Sequence, residues 1–121
     1  MMIEEKRKNQ RCYSTNLLSY VCLDENNNEV MQGMGRTLNV GVGGIRLETH
    51  VPIDSRCIVY LTISMEDDLM SVKGNISYQR QREDGKFELG IEFTEMDEQE
   101  RRFLKQYIIL FRGQEDQDNV M

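Results

Sequence analysis

Four basic side chains fall within six residues, Lys6-Arg7-Lys8-Asn9-Gln10-Arg11, in a chain that is acidic overall. Arginine carries a planar fork of donors. It grips a phosphate bidentately, bonds the O6 and N7 edge of guanine, or stacks on a base. Anion capture is therefore the chemistry this segment offers. A run of charge taken alone is more often a solvated arm. The second informative segment is Asn39-Val40-Gly41-Val42-Gly43-Gly44, with three glycines in four residues. Such a run reads as a tight, non-regular turn. Its plain role is a barrel corner. Its functional role is a concave backbone site, where free N–H groups and the Asn39 side chain face a ligand.

Other chemistry is poorly supported. Nucleophile–base pairs need a base, and His50 is the one histidine, in a polar turn before Pro52 with no serine or cysteine signature beside it. It reads as a surface residue. Cys12, Cys22 and Cys57 are far apart with no CxxC pair, so they read as free, buried or partly buried thiols in a reducing compartment. Asp67-Asp68 and Glu83-Asp84 read as solvated turn charges. No glycine-rich loop ends in Lys-Ser or Lys-Thr. The expectation is a protein that is not an enzyme, with no metal and no cofactor.

The elements that must position these residues are strands and one helix. A chain of 121 residues, 39% hydrophobic and 30% charged, makes one soluble domain with an adequate core. Its 15 basic against 21 acidic residues argue against sequence-independent DNA or RNA binding, which depends on neutralising phosphates. No apolar run approaches about 20 residues and no signal-peptide core is present, so a cytoplasmic protein without membrane insertion is expected. Residues 1–11 read as a flexible basic arm, 12–113 as the folded domain and 114–121 as a frayed polar tail. Strand patterns run over 12–23, 30–39, a short stretch at Ile45 and Leu47, 57–64, 70–80 and 87–94. Gly33 and Gly35 suggest a bulge or bend. On the strand over 70–80, Met70, Val72, Gly74, Ile76 and Tyr78 fall on one face. Asp97 and Glu100 fit a capping box, and Phe103, Leu104, Tyr107, Ile108 and Phe111 recur at helical spacing, with Gly113 as the stop. These elements predict a mainly β fold, a six-stranded antiparallel barrel with a C-terminal helix packed on it.

In that frame Arg7-xxx-Arg11 followed by Asn39-x-Gly41-xx-Gly44 resembles the two-part signature of PilZ domains, RxxxR and then (D/N)xSxxG. Gly44-Ile45-Arg46-Leu47, Gly74-Asn75-Ile76, Leu89-Gly90-Ile91-Glu92-Phe93 and the helix over 100–111 are similar to the family's later elements, so the resemblance covers nearly the whole chain. It implies a receptor for cyclic di-GMP, a bacterial second messenger. Arg7 and Arg11 would grip guanine edges and phosphates from an arm that orders over the barrel. Asn39 would bond a guanine edge, and Gly41 and Gly44 would let the ligand approach the backbone. Tyr78 roughly matches a position often aromatic in the family and would either stack on a base or pack in the barrel. The family's serine is Gly41 here. A lost hydroxyl costs about 0.5–1.5 kcal/mol.

No effector domain is recognised in the chain, so the expected output is a partner protein that distinguishes the bound from the free state. The competing reading is a protein-interaction adaptor that no longer binds the nucleotide. A small OB-like barrel for single-stranded nucleic acid is a distant third, since the chain lacks a basic stripe.

Overall fold

The computed structural model describes residues 17–65 and 67–120. Six strands follow in order: β1 (Leu17–Leu23), β2 (Glu29–Val40), β3 (Gly44–Thr49), β4 (Ile58–Met65), β5 (Asp68–Gln81) and β6 (Phe87–Phe93). They form a closed antiparallel barrel in the order β1-β2-β3-β6-β5-β4, sealed where β1 pairs with β4. One helix, α1 (Glu98–Val120), completes the fold. Among these residues no helix is long and apolar enough to cross a membrane.

Alternation explains the barrel. Leu18, Tyr20 and Cys22 of β1 point inward, as do Val59, Leu61 and Ile63 of β4 and Leu89 and Ile91 of β6. Inward side chains separated by outward ones are what a sheet with one buried face requires. The turns follow the expected chemistry. Asp24 Oδ1 accepts from the Asn26 and Asn28 N–H groups, both at 2.9 Å, while Asn27 takes a left-handed φ of 64°. Gly85, at φ 89°, turns β5 into β6. Cys22 and Cys57 are buried free thiols and His50 is exposed; Cys12 lies outside the described residues.

The inner-face glycines of β2 do not mark bulges. A Cβ on Gly33 would lie 2.7 Å from the Tyr20 hydroxyl, and one on Gly35 would lie 2.9 Å from Leu47 Cγ. Both glycines make room for a large side chain inside a small barrel. The register shifts lie elsewhere, at Val30 and Leu38 in β2 and at Ser77 in β5. The shift at Ser77 corrects the sequence reading of Tyr78. One extra residue reverses the alternation after Ile76, so Tyr78 leaves the interior face and is 40% exposed.

The helix start matches its expectation. Asp97 Oδ1 accepts from the Glu100 N–H at 2.7 Å, and Glu100 Oε1 accepts from the Asp97 N–H at 2.9 Å. Its end does not. α1 runs through Gly113 to Val120, because Gly113 lacks the left-handed φ that would terminate it. A helical glycine costs only about 1 kcal/mol relative to alanine. Arg112 therefore sits within the helix rather than at its C-terminus. Leu104, Tyr107, Ile108 and Phe111 seat α1 on the core, and the Tyr107 hydroxyl shares a buried 2.8 Å hydrogen bond with Thr37 Oγ1 of β2. Leu104→Ala is expected to destabilise the domain by about 2–5 kcal/mol through the cavity it leaves. Tyr107→Phe is expected to lose about 1–3 kcal/mol by orphaning the Thr37 hydroxyl. Urea unfolding monitored by circular dichroism checks both.

Candidate ligand site

Two bulges create the site. In β2 the register passes from Thr37↔Leu47 to Asn39↔Arg46, leaving Leu38 as the extra residue. In β5 it passes from Ile76↔Ile91 to Tyr78↔Gly90, leaving Ser77. Thr37 is buried, so an unbroken alternation would also turn Asn39 inward. Each bulge instead swings the next residue out. Arg46 pairs with Gly90 across β3 and β6. The result is one lateral row on the outer face, Asn39–Arg46–Gly90–Tyr78, contributed by four neighbouring strands.

The row borders an open concavity of about 380 Å³. The Asn39–Gly44 turn forms one side, Ser77, Tyr78 and Gly90–Glu92 the other, and Arg112 of α1 also lines it. Arg46 and Arg112 against Glu92 leave this lining net positive by one charge. The turn is held by Gly41 N–H donating to Gly44 O at 2.9 Å and Phe93 N–H donating to Gly43 O at 3.0 Å. None of its glycines uses a positive φ. Gly44 is needed for close approach, since a Cβ there would lie 2.4 Å from the Ile91 carbonyl oxygen. Gly41 has nothing within 4 Å of an added Cβ and faces open space. Asn39 is exposed, and its Oδ1 accepts from the Val40 N–H at 2.9 Å.

Tyr78 is laid down by a missing side chain. A Cβ on Gly90 would lie 2.2 Å from Tyr78 Cε1, so the ring rests where that side chain would stand. The Tyr78 hydroxyl donates to Glu88 Oε2 at 2.8 Å, and burial is the main cause raising its pKa above the ordinary tyrosine value. Glu88 is buried yet charged. The Tyr78 hydrogen bond, with Arg80 and Arg46 nearby, holds its pKa below the ordinary value. Arg80 Nη2 donates to Glu88 Oε1 at 3.2 Å, and Arg46 Nη1 lies 3.8 Å from Oε2. Directly opposite Glu88, Glu48 of β3 is also buried. Arg36 Nε donates to Glu48 Oε1 at 3.0 Å, and Arg82 Nη2 donates to Oε2. Two like charges face each other across the ladder and are tolerated because arginines from β2, β3 and β5 and the β5–β6 turn surround them.

Among the residues expected from sequence, the structure brings Asn39, Gly41, Gly44 and Tyr78 to one concavity. Arg7 and Arg11 lie outside the described residues. Sequence reasoning did not single out Arg46, Arg112, Ser77 or Glu92. Arg46 carried a signal, two residues beyond Gly44 on a strand whose flanking Ile45 and Leu47 face inward. Arg112 carried none, because its place depends on how α1 docks.

The fold is a small closed barrel with a concavity on its outer face. The PilZ domain family model matches residues 5–110, and the chain belongs to that family, whose domains are regulatory receptors. No curated protein matches the chain. Its fold is similar to that of MrkH from K. pneumonia in its apo state, with a TM-score of 0.57 at 10% identity. That alignment covers 84% of this chain and 49% of MrkH, so the chain spans about half the length of that protein. The PilZ domain of CeSA from a cellulose-synthesizing bacterium is similar with a TM-score of 0.53 at 12% identity, covering 77% of this chain and 90% of that one.

Two outcomes follow from this geometry. Gly44→Ala must displace backbone and is expected to cost about 1–3 kcal/mol, whereas Gly41→Ala is expected to stay within about 0.5 kcal/mol of wild type. Denaturant titrations separate them. The Arg36 hydrogen bond, aided by Arg82 and opposed by burial, lowers the Glu48 pKa from 4.5 to about 2. A depressed folded-state pKa gives stability that is present above the unfolded value and lost as pH falls toward the folded one. Stability is thus expected to drop between about pH 5 and pH 2. Glu48→Gln is expected to flatten that part of the pH profile of the melting temperature.

Proposed function

We propose that the domain is a cyclic di-GMP receptor that binds the nucleotide on the outer barrel face at the Asn39–Gly44 turn and relays occupancy to a partner protein. The observation that carries this reading is the concavity itself. It joins an exposed asparagine, glycines that leave the backbone open and two arginines in a PilZ-family chain. The family match includes the positions of Arg7 and Arg11. In this reading those two side chains close over the concavity and grip guanine edges and phosphates of a dianionic ligand. Asn39 supplies a base-edge contact, and Tyr78 offers its exposed ring for stacking. Relay through α1 is supported by Arg112, which lines the concavity, and by Ile109 and Leu110 on the same helix, 70% and 44% exposed.

Calorimetric titration of the full chain with cyclic di-GMP tests the reading. Binding in the micromolar range or tighter is expected, with Arg7→Ala/Arg11→Ala weakening it by at least about a hundredfold, equivalent to about 2.7 kcal/mol. Equal affinity of wild type and double variant would remove the site assignment. Gly41→Ser is expected to fit without displacement and to tighten binding by about two- to tenfold, the worth of one hydroxyl hydrogen bond.

The second reading is an adaptor that does not bind the nucleotide. Gly41 favours it, since the family's serine hydroxyl is absent. It requires a melting temperature unmoved by cyclic di-GMP, because a ligand that does not bind gives no linkage stabilisation. An upward shift that GMP does not reproduce would exclude it.

A further inference from the structure

We propose that Glu88 is a positioning residue of this site: one buried carboxylate holds the Tyr78 ring and the Arg46 guanidinium as the aromatic and cationic walls of the concavity. The inference rests on the reading that the concavity takes cyclic di-GMP.

Glu88 is 7% exposed, whereas Tyr78 is 40% exposed and the Arg46 side chain 50%. The buried group therefore sits beneath two exposed ones. Its Oε2 accepts the Tyr78 hydroxyl at 2.8 Å and lies 3.8 Å from Arg46 Nη1. Its Oε1 accepts from Arg80 at 3.2 Å, which fixes the carboxylate plane. Tyr78, Arg46 and Arg80 come from β5, β3 and β5, and Glu88 from β6, so three adjacent strands converge on one anion.

The arrangement suits a purine nucleotide. Gly90 beneath the ring and the hydroxyl anchor hold Tyr78 against its strand, with part of its surface open toward the concavity. A ring already fixed loses less rotamer freedom when a base stacks on it. The long Arg46 contact orients the guanidinium while leaving donors for an incoming phosphate, since arginine has five. Without Glu88, Tyr78 and Arg46 would each lose the carboxylate that anchors their polar ends. Glu88 touches no ligand in this account and acts only through those two side chains.

A double-mutant cycle read by calorimetry on the full chain tests this, because coupling rather than loss alone marks a positioning role. Glu88→Ala is expected to weaken cyclic di-GMP binding about fivefold or more in the wild-type background. In the Tyr78→Phe/Arg46→Ala background the same replacement is expected to change affinity less than about twofold. If Glu88→Ala does not fold by circular dichroism, Glu88→Gln enters the same cycle, keeping the volume and removing the charge. Equal losses in both backgrounds would overturn the proposal and mark Glu88 as purely structural. Unchanged binding by a folded Glu88 variant, while Arg7→Ala/Arg11→Ala abolishes binding, would overturn it and leave the site intact. No binding by the wild type would overturn the reading of the site and this inference with it.

Discussion

Two single-residue insertions in the β ladder set where the chemistry can be. Leu38 in β2 and Ser77 in β5 each add one residue against an unbroken partner strand. A side-chain period of two means that one extra residue reverses every face beyond it. Asn39 and Tyr78 face outward for that reason. They arrive in the same lateral row as Arg46 and Gly90, whose strands carry no insertion between Leu47 and Ile45 or between Leu89 and Ile91. The bulge in β5 has two further effects. Gln79 reaches the backbone of Ile53, accepting from its N–H and donating to its carbonyl at 2.8 Å each. Arg80 turns outward onto Glu88.

The outer face carries an electrostatic arrangement uncommon on a small sheet. Glu48 and Glu88 oppose each other across β3 and β6, and both are buried. Their repulsion is offset by Arg36 and Arg82 on one and by Arg46, Arg80 and the Tyr78 hydroxyl on the other. An acidic protein can thus present positive charge locally. Arg36 and Arg80 flank the buried pair in its own lateral row, Arg82 reaches it from the β5–β6 turn, and Arg46 stands in the next row, where it lines the concavity.

The sequence carried the architecture because alternation and capping are local. The Asp97–Glu100 capping box, the β4 face from Val59 to Ile63 and the Gly85 turn all appear as their residue types require. Alternation alone puts Tyr78 on the face of Val72 and Ile76, because it cannot reveal an inserted residue. The signals that fix it, a serine bonding across to Gly90 O and a glycine beneath the ring, belong to different strands. Glycine favours the left-handed cap, so Gly113 reads as a stop, yet Gln114 and Glu115 continue the helix with good formers. The glycines at 41 and 44 were legible as a turn, but not their division of labour. One leaves open space, and the other permits a carbonyl to approach within reach of a forbidden Cβ. Arg46 and Arg112 depend on register and helix docking, which no spacing rule records.

In the proposed reading the nucleotide binds on the outer face framed by the two bulges. Backbone amide chemical-shift mapping with added cyclic di-GMP tests it most directly. Shifts are expected to concentrate at residues 39–46, at Ser77 and Tyr78 and at 90–92. Shifts confined to the separate depression near Tyr60, Lys73 and Glu95–Glu100, or none at saturating ligand, would contradict it.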